Sequence, residues 1–283
     1  MKTGHTILIG LPRSGTTWVH NYIRHNYINN NYGFVLPTVI NTVKGEIIDI
    51  GSIVGDEWLD YEFISNKQKI EMLEACRRCG LEVCHKVLVD SLARRTEYGW
   101  DNAYAPDVLS WFKEFYRDTN IIILKRKNLW KTYISYLFHS TISKQLEEKE
   151  AKLIHPWHAA FNTHTNTFVR ANKEASILDE TIKTNKINFK YDEKIWNKFM
   201  SSVRFLNNNV INELPNAEVI WTEDLSDKIL EERFGGIPET TAKPFKNMNY
   251  EKYYSKKGLE FIKEKYYQGF RNEFINYGYI SGI

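Results

Sequence analysis

The first eighteen residues constrain this chain more than any other stretch. Thr6 to Ile9 is a short apolar, β-prone run, Gly10-Leu11-Pro12-Arg13-Ser14-Gly15 is a Gly- and Pro-containing turn, and Thr16 to Asn26 carries a helical pattern. Strand, tight glycine loop and helix N-terminus make up the geometry of a phosphate cradle. The first N–H groups of a helix have no partner inside it, and the helix dipole places partial positive charge there. Gly10 and Gly15 let the backbone curl close to an anion, Arg13 adds a full charge, and the hydroxyls of Thr16 and Thr17 follow. The opening therefore reads as a site for a phosphate or sulfate ester.

The spacing from Gly10 to Gly15, followed by Thr16-Thr17, fits a Walker loop in all but one respect. The lysine expected after the second glycine is Thr16. That lysine reaches the terminal phosphates of a nucleoside triphosphate, so its absence weighs against a kinase or ATPase. A triphosphate also needs Mg²⁺ and a carboxylate to hold it. The later apolar run Ile121-Ile122-Ile123-Leu124 ends instead in Lys125-Arg126-Lys127.

Pro12-Arg13-Ser14-Gly15-Thr16-Thr17-Trp18 resembles the 5′-phosphosulfate loop of the sulfotransferases that use 3′-phosphoadenosine 5′-phosphosulfate. A second stretch, Ile121 to Ser135, is similar to their 3′-phosphate segment: an apolar strand, a basic residue with Asn, then a helix with Ser. Asn128 and Ser135 match; the position before Asn128, usually Arg, is Lys127, with Arg126 one earlier. Val219 to Leu225 is similar to the family's late strand ending in Tyr-Glu-Asp-Leu, with Thr222 in place of the tyrosine. The three stretches stand in the family's order and span most of the chain. They look closest to the bacterial and Golgi-type carbohydrate branch. The resemblance implies transfer of a sulfuryl group to an acceptor hydroxyl, with a glycan as the expected acceptor.

The remaining composition sets outer limits. The chain has 283 residues, 42% hydrophobic, with a net charge of +3. That allows a substantial core and an anionic ligand, and does not by itself point to nucleic acid. Mean hydropathy is −0.47, and no run approaches the roughly 18 apolar residues of a membrane span. With no leader recognised ahead of the first strand and three cysteines, an odd number, the expected setting is a reducing one, the cytoplasm. Cys76 and Cys79 have a C-x-x-C spacing, but at the end of a helical pattern and with no second ligand pair. We therefore expect thiols without a metal.

Short apolar strands alternate with helical patterns, which predicts an α/β fold: a three-layer arrangement with a central parallel sheet flanked by helices, and a P-loop-like turn after the first strand. Strands are expected at Thr6–Gly10, Gly33–Pro37, Glu82–Val89, Asn120–Lys125 and Glu218–Thr222. Helices are expected at Thr16–Asn26, Asn66–Arg78, Pro106–Arg117, Leu129–Ser143, His158–Thr184, Asp192–Glu213 and Lys256–Asn276. No linker or repeat divides the chain, so residues 1–283 are expected to form one domain. Binding then belongs at the carboxyl ends of the strands, where both basic motifs begin.

Sulfuryl transfer needs a deprotonated acceptor, an in-line approach and charge stabilisation on the leaving phosphate. The resemblance puts Arg13 at the sulfonate and bridging oxygens, and Ser14, Gly15, Thr16 and Thr17 around the 5′-phosphate. Trp18 is a candidate adenine platform, against its alternative as a core aromatic. Arg126, Lys127 and Ser135 are the 3′-phosphate candidates, with the choice between the two cations open. Two residues compete for the general base. Glu46, after Gly45, resembles the Gly-Glu of the carbohydrate branch; His85 lies in the strand beside Lys86. A kinase using ATP and Mg²⁺, or a nucleotide-binding module without catalysis, are the alternatives.

Overall fold

A computed structural model describes residues 6–16, 18–20, 22–23, 38–41, 46–49, 84–89, 93–96, 99–104, 120–147, 161–162, 167–168, 180, 182–184, 186–234, 249–270 and 272–282. Contacts group the chain into two compact units. The first holds Met1–Lys125 and Ser201–Pro238; the second holds Arg126–Met200 and Glu239–Ile283.

The first unit is built on a parallel sheet. Strand β1 (Thr6–Gly10) leads into helix α1 (residues 16, 18–20, 22 and 23). The hairpin β2 (Thr38–Asn41) and β3 (Glu46–Asp49) comes next. Then follow β4 (Cys84–Leu88), the hairpin β5 (Ala93–Thr96) and β6 (Gly99–Tyr104), and β7 (Asn120–Lys125). In the second unit come α2 (Leu129–Glu147) and the short antiparallel pair β8 (Phe161–Asn162) and β9 (Thr167–Phe168). Helix α3 (Glu193–Phe205) carries the chain back into the first unit, passing into a π-helical turn at Leu206–Val210 and a last α turn at Ile211–Glu213. Strand β10 (Glu218–Trp221) and α4 (Asp227–Phe234) follow. The second unit closes with α5 (Lys256–Gly269) and α6 (Asn272–Asn276).

The main sheet has the order β10-β7-β1-β4, with every pairing parallel. Its strands are near-continuous apolar runs because a parallel sheet is covered by helices. Leu8, Ile122, Leu124 and Ile220 pack with Trp18, Val19, Tyr22 and Ile23 of α1 and with Leu230 and Phe234 of α4. Each such buried side chain contributes roughly 1.5–3 kcal/mol. The α/β class and the parallel sheet with accompanying helices agree with the sequence pattern.

In the second unit, Asn128 caps α2: the Lys131 N–H donates to Asn128 Oδ1 at 2.8 Å. The residues around that cap bridge to the end of the chain, through Ile280 N–H to Lys127 O (2.9 Å) and Leu129 N–H to Ile280 O (3.2 Å). The core is aromatic. Tyr133 meets Trp196 edge-on at 4.9 Å, and Trp130 meets Tyr266 at 5.1 Å. Gly269 allows this packing, since a Cβ there would stand 2.2 Å from Trp196 Cζ2.

Three expectations need correction. The helix expected over His158–Thr184 is interrupted by β8 and β9. The pattern Lys256–Asn276 is two helices, since α5 stops at Gly269 and Phe270 is extended (φ −77°, ψ 101°). The sequence pattern does not announce the hairpins β2–β3 and β5–β6. The stretches 33–37, 66–78 and 106–117 lie outside the described residues.

Candidate functional site

The turn between β1 and α1 has the backbone its glycines foretell. Arg13 sits at φ 68° and Gly15 at φ 92°, while Pro12 and Ser14 keep negative φ. Alternation of sign along successive residues is the backbone pattern from which anion-binding concavities are built. For Arg13 the left-handed conformation costs about 1–2 kcal/mol. Strain of this kind survives only where surrounding contacts enforce it.

Those contacts are visible. Ser14, fully buried, donates both its N–H (3.2 Å) and its Oγ–H (2.7 Å) to Leu11 O. The Gly15 carbonyl accepts from Val19 N–H at 3.2 Å and starts α1. Gly10 is needed for closeness: a Cβ there would stand 2.6 Å from Thr16 Cγ2 and 3.0 Å from Leu124 O. Thr222, directly after β10, donates its hydroxyl both to Ser14 O and to Lys125 O, the latter at 2.9 Å. Its methyl lies 3.0 Å from where a Cβ on Gly15 would be. The turn is thus bound to the carboxyl ends of β7 and β10, the edge at which open parallel sheets bind ligands.

Trp18 occupies the first turn of α1 and is 2% exposed. Its indole N–H donates to Asp227 Oδ1 (3.1 Å), which also accepts from Tyr22 Oη (2.9 Å). The two rings meet edge-on at 6.4 Å. In this place Trp18 anchors α1 to α4. Burial and the Asp227 carboxylate together push the Tyr22 phenol well above its usual range.

Beside the turn, β7 ends in a lysine that is 3% exposed. By strand alternation Lys125 faces away from Leu124. Its Nζ donates to Asn207 Oδ1 at 2.7 Å and stands 4.5 Å from the centre of the Trp221 ring. Asn207 lies in the π-helical turn and steadies itself by donating Nδ2–H to Val203 O at 2.7 Å. Burial pulls the Lys125 amine down to about 8. Such π turns recur at functional positions.

The second basic motif belongs to the second unit. Strand β7 has ended at Lys125, so strand alternation does not apply to Arg126 and Lys127. Both are half-buried. Ser135 lies on α2 and is 3% exposed.

The base candidates are placed by backbone alone. Glu46 opens β3, opposite Asn41. His85 is the second residue of β4, paired with Ile7. That is three residues, about 10 Å, short of the rung where Gly10 begins the turn. The side chains of Glu46 and His85, all of Thr17, and Cys76 and Cys79 lie outside the described residues. Among the described residues no group of three His, Cys, Asp or Glu stands together as a metal site, and no helix is long and apolar enough to cross a membrane.

Sequence reasoning missed Thr222 and the Lys125–Asn207 pair. Thr222 was noted only as a departure from tyrosine. Lys125 was one cation in a run of three, with no signal that it is buried. No protein-family model, curated protein or solved structure significantly matches the chain.

Proposed function

We propose that this chain is a sulfotransferase that moves the sulfuryl group of 3′-phosphoadenosine 5′-phosphosulfate to an acceptor hydroxyl on a carbohydrate. One observation carries the reading. The Pro12–Trp18 motif, which resembles the family's phosphosulfate loop, coincides with a turn of alternating φ at the carboxyl edge of a parallel sheet. The motif supplies the chemistry and the turn supplies a concavity of the right polarity. In this reading the fold is the family's three-layer, P-loop-like one.

The donor, when bound, brings an activated sulfuryl group on a phosphate leaving group. The chain's residues fit its 5′ end. The turn at Arg13–Gly15 and the start of α1 at Thr16 hold the 5′-phosphate through N–H groups that the helix ladder does not use. Arg13 neutralises charge as it gathers on the sulfonate and bridging oxygens. Arg126 and Lys127, after β7, grip the 3′-phosphate; a guanidinium does so as a two-pronged donor, an ammonium as a point charge. Glu46 takes the proton of the acceptor hydroxyl, with His85 as its competitor for that role.

A kinase using ATP and Mg²⁺ has one observation in its favour. Strand β4, hydrogen-bonded to β1, is followed in sequence by Asp90, a carboxylate of the type that holds Mg²⁺. Thr16 in place of the Walker lysine opposes it. The distinguishing experiment incubates the protein with the phosphosulfate donor and a panel of mono- and oligosaccharides, then with ATP and Mg²⁺ on the same panel. A sulfate ester in the first arm alone supports the proposal. Phosphorylated sugar in the second arm alone replaces it with the kinase.

A further inference from the structure

We propose that Thr222 is a positioning residue for the anion site: its hydroxyl holds the Ser14 carbonyl so that the Gly15 N–H on the same peptide is aimed into the concavity. This rests on the reading of the turn as an anion site. The argument is geometric. A trans peptide is planar, with its C=O and N–H pointing to opposite sides. Whatever fixes the Ser14 carbonyl therefore fixes the direction of the Gly15 N–H. Thr222 Oγ1 donates to that carbonyl and is itself steadied by Lys125 O at 2.9 Å. A single hydroxyl proton serves both carbonyls, so the turn is joined to the ends of β7 and β10 at one atom. The methyl of the same side chain lies against Gly15, where a Cβ would come to 3.0 Å. Serine would keep the hydroxyl and lose the methyl; valine would keep the shape and lose the proton.

The test uses the full chain and three probes without metal: adenosine 5′-monophosphate, adenosine 3′-monophosphate and adenosine 3′,5′-bisphosphate, titrated by calorimetry. Thr222→Val should weaken both ligands that carry a 5′-phosphate by about three- to tenfold, the net worth of one hydrogen bond. Affinity for the 3′-monophosphate should stay within about twofold of wild type, and Thr222→Ser should restore 5′ binding. A merely structural role would lower all three affinities together or none, and that result overturns the proposal. Should the valine variant not fold, the wild type still decides. On titration with the 5′-monophosphate, the Gly15 amide should show one of the largest NMR shift changes in the chain, and an unmoved Gly15 amide overturns the proposal. Wild-type protein that binds no 5′-phosphate ligand at all refutes the underlying reading instead, and the inference falls with it.

Discussion

At the scale of single residues, two demands can be tested. The first concerns the base. Glu46→Gln should lower turnover by roughly 10²–10⁴-fold, the usual range for removing a general base. The affinity for adenosine 3′,5′-bisphosphate should hardly change, because Glu46 faces the acceptor in this reading. His85→Asn is the matched control. His85 sits about 10 Å short of the strand edge, so it should stay active. If His85→Asn abolishes turnover while Glu46→Gln does not, the two roles exchange. The second demand concerns Lys125. Its amine is pulled down to about 8 by burial, while an unfolded chain keeps it near the ordinary lysine value. Between those values the unfolded state binds more protons than the folded one, so stability rises with pH. From pH 7 to 9.5 the wild type should gain about 2 kcal/mol relative to Lys125→Met. The slope is the readout, because the variant also removes the hydrogen bond from Lys125 to Asn207 Oδ1. Above about pH 10 the tyrosines raised by burial, Tyr22, Tyr133, Tyr254 and Tyr266, act in the opposite direction. Urea melts of the two proteins across this range measure the difference, and parallel profiles would contradict a buried, perturbed amine.

At the scale of elements, the sequence was most readable where local pattern and tertiary setting agree. Thr6–Gly10 and Asn120–Lys125 are β-branched apolar runs closed by turn or basic residues, and both strands have the expected bounds. Elsewhere the tertiary setting decides. Asn207-Asn208-Asn209 reads as a polar stretch inside a helical pattern, and nothing local announces a π turn that turns Asn207 inward to a lysine 82 residues away. Phe161, Phe168 and their neighbours have apolar spacing that suits a helix, yet Phe161–Asn162 pairs antiparallel with Thr167–Phe168. Gly269 carries a local signal: a glycine near the end of a helical pattern marks a stop, and here also the close approach to Trp196. Helix α3 offers a direct check. Asp192 caps it, accepting from Lys194 N–H (2.9 Å) and Ile195 N–H (3.1 Å) and pairing with Lys144 at 3.1 Å. Burial raises the Asp192 carboxyl, but the Ile195 N–H and Lys144 outweigh it, so the group lies below its ordinary value. The stabilisation is complete above the unfolded value near 4 and is lost as pH falls through the folded one. Asp192→Ala should cost about 1 kcal/mol at pH 7, less as the pH drops below 4, in urea melts followed by far-ultraviolet circular dichroism. A variant as stable as wild type at pH 7 would remove the cap from the account.

At the scale of the whole molecule, the turn at Gly10–Gly15 belongs to the first unit, and Arg126 and Lys127 belong to the second. Lys125 ends the first segment of the first unit, and Arg126 opens the second unit. Both motifs stand out in the sequence because, in the proposed reading, phosphate chemistry demands particular residues at particular spacings. The sequence left the acceptor and the base illegible, because a sugar pocket has no fixed residue code and a lone Glu or His has many reasons to exist. The central claim is therefore about the donor. Calorimetry should find adenosine 3′,5′-bisphosphate bound without metal, and more tightly than adenosine 5′-monophosphate by roughly 1.5–3 kcal/mol, the worth of charge-assisted contacts to the 3′-phosphate. Equal affinity for the two nucleotides, or binding of ATP that depends on Mg²⁺, would contradict it.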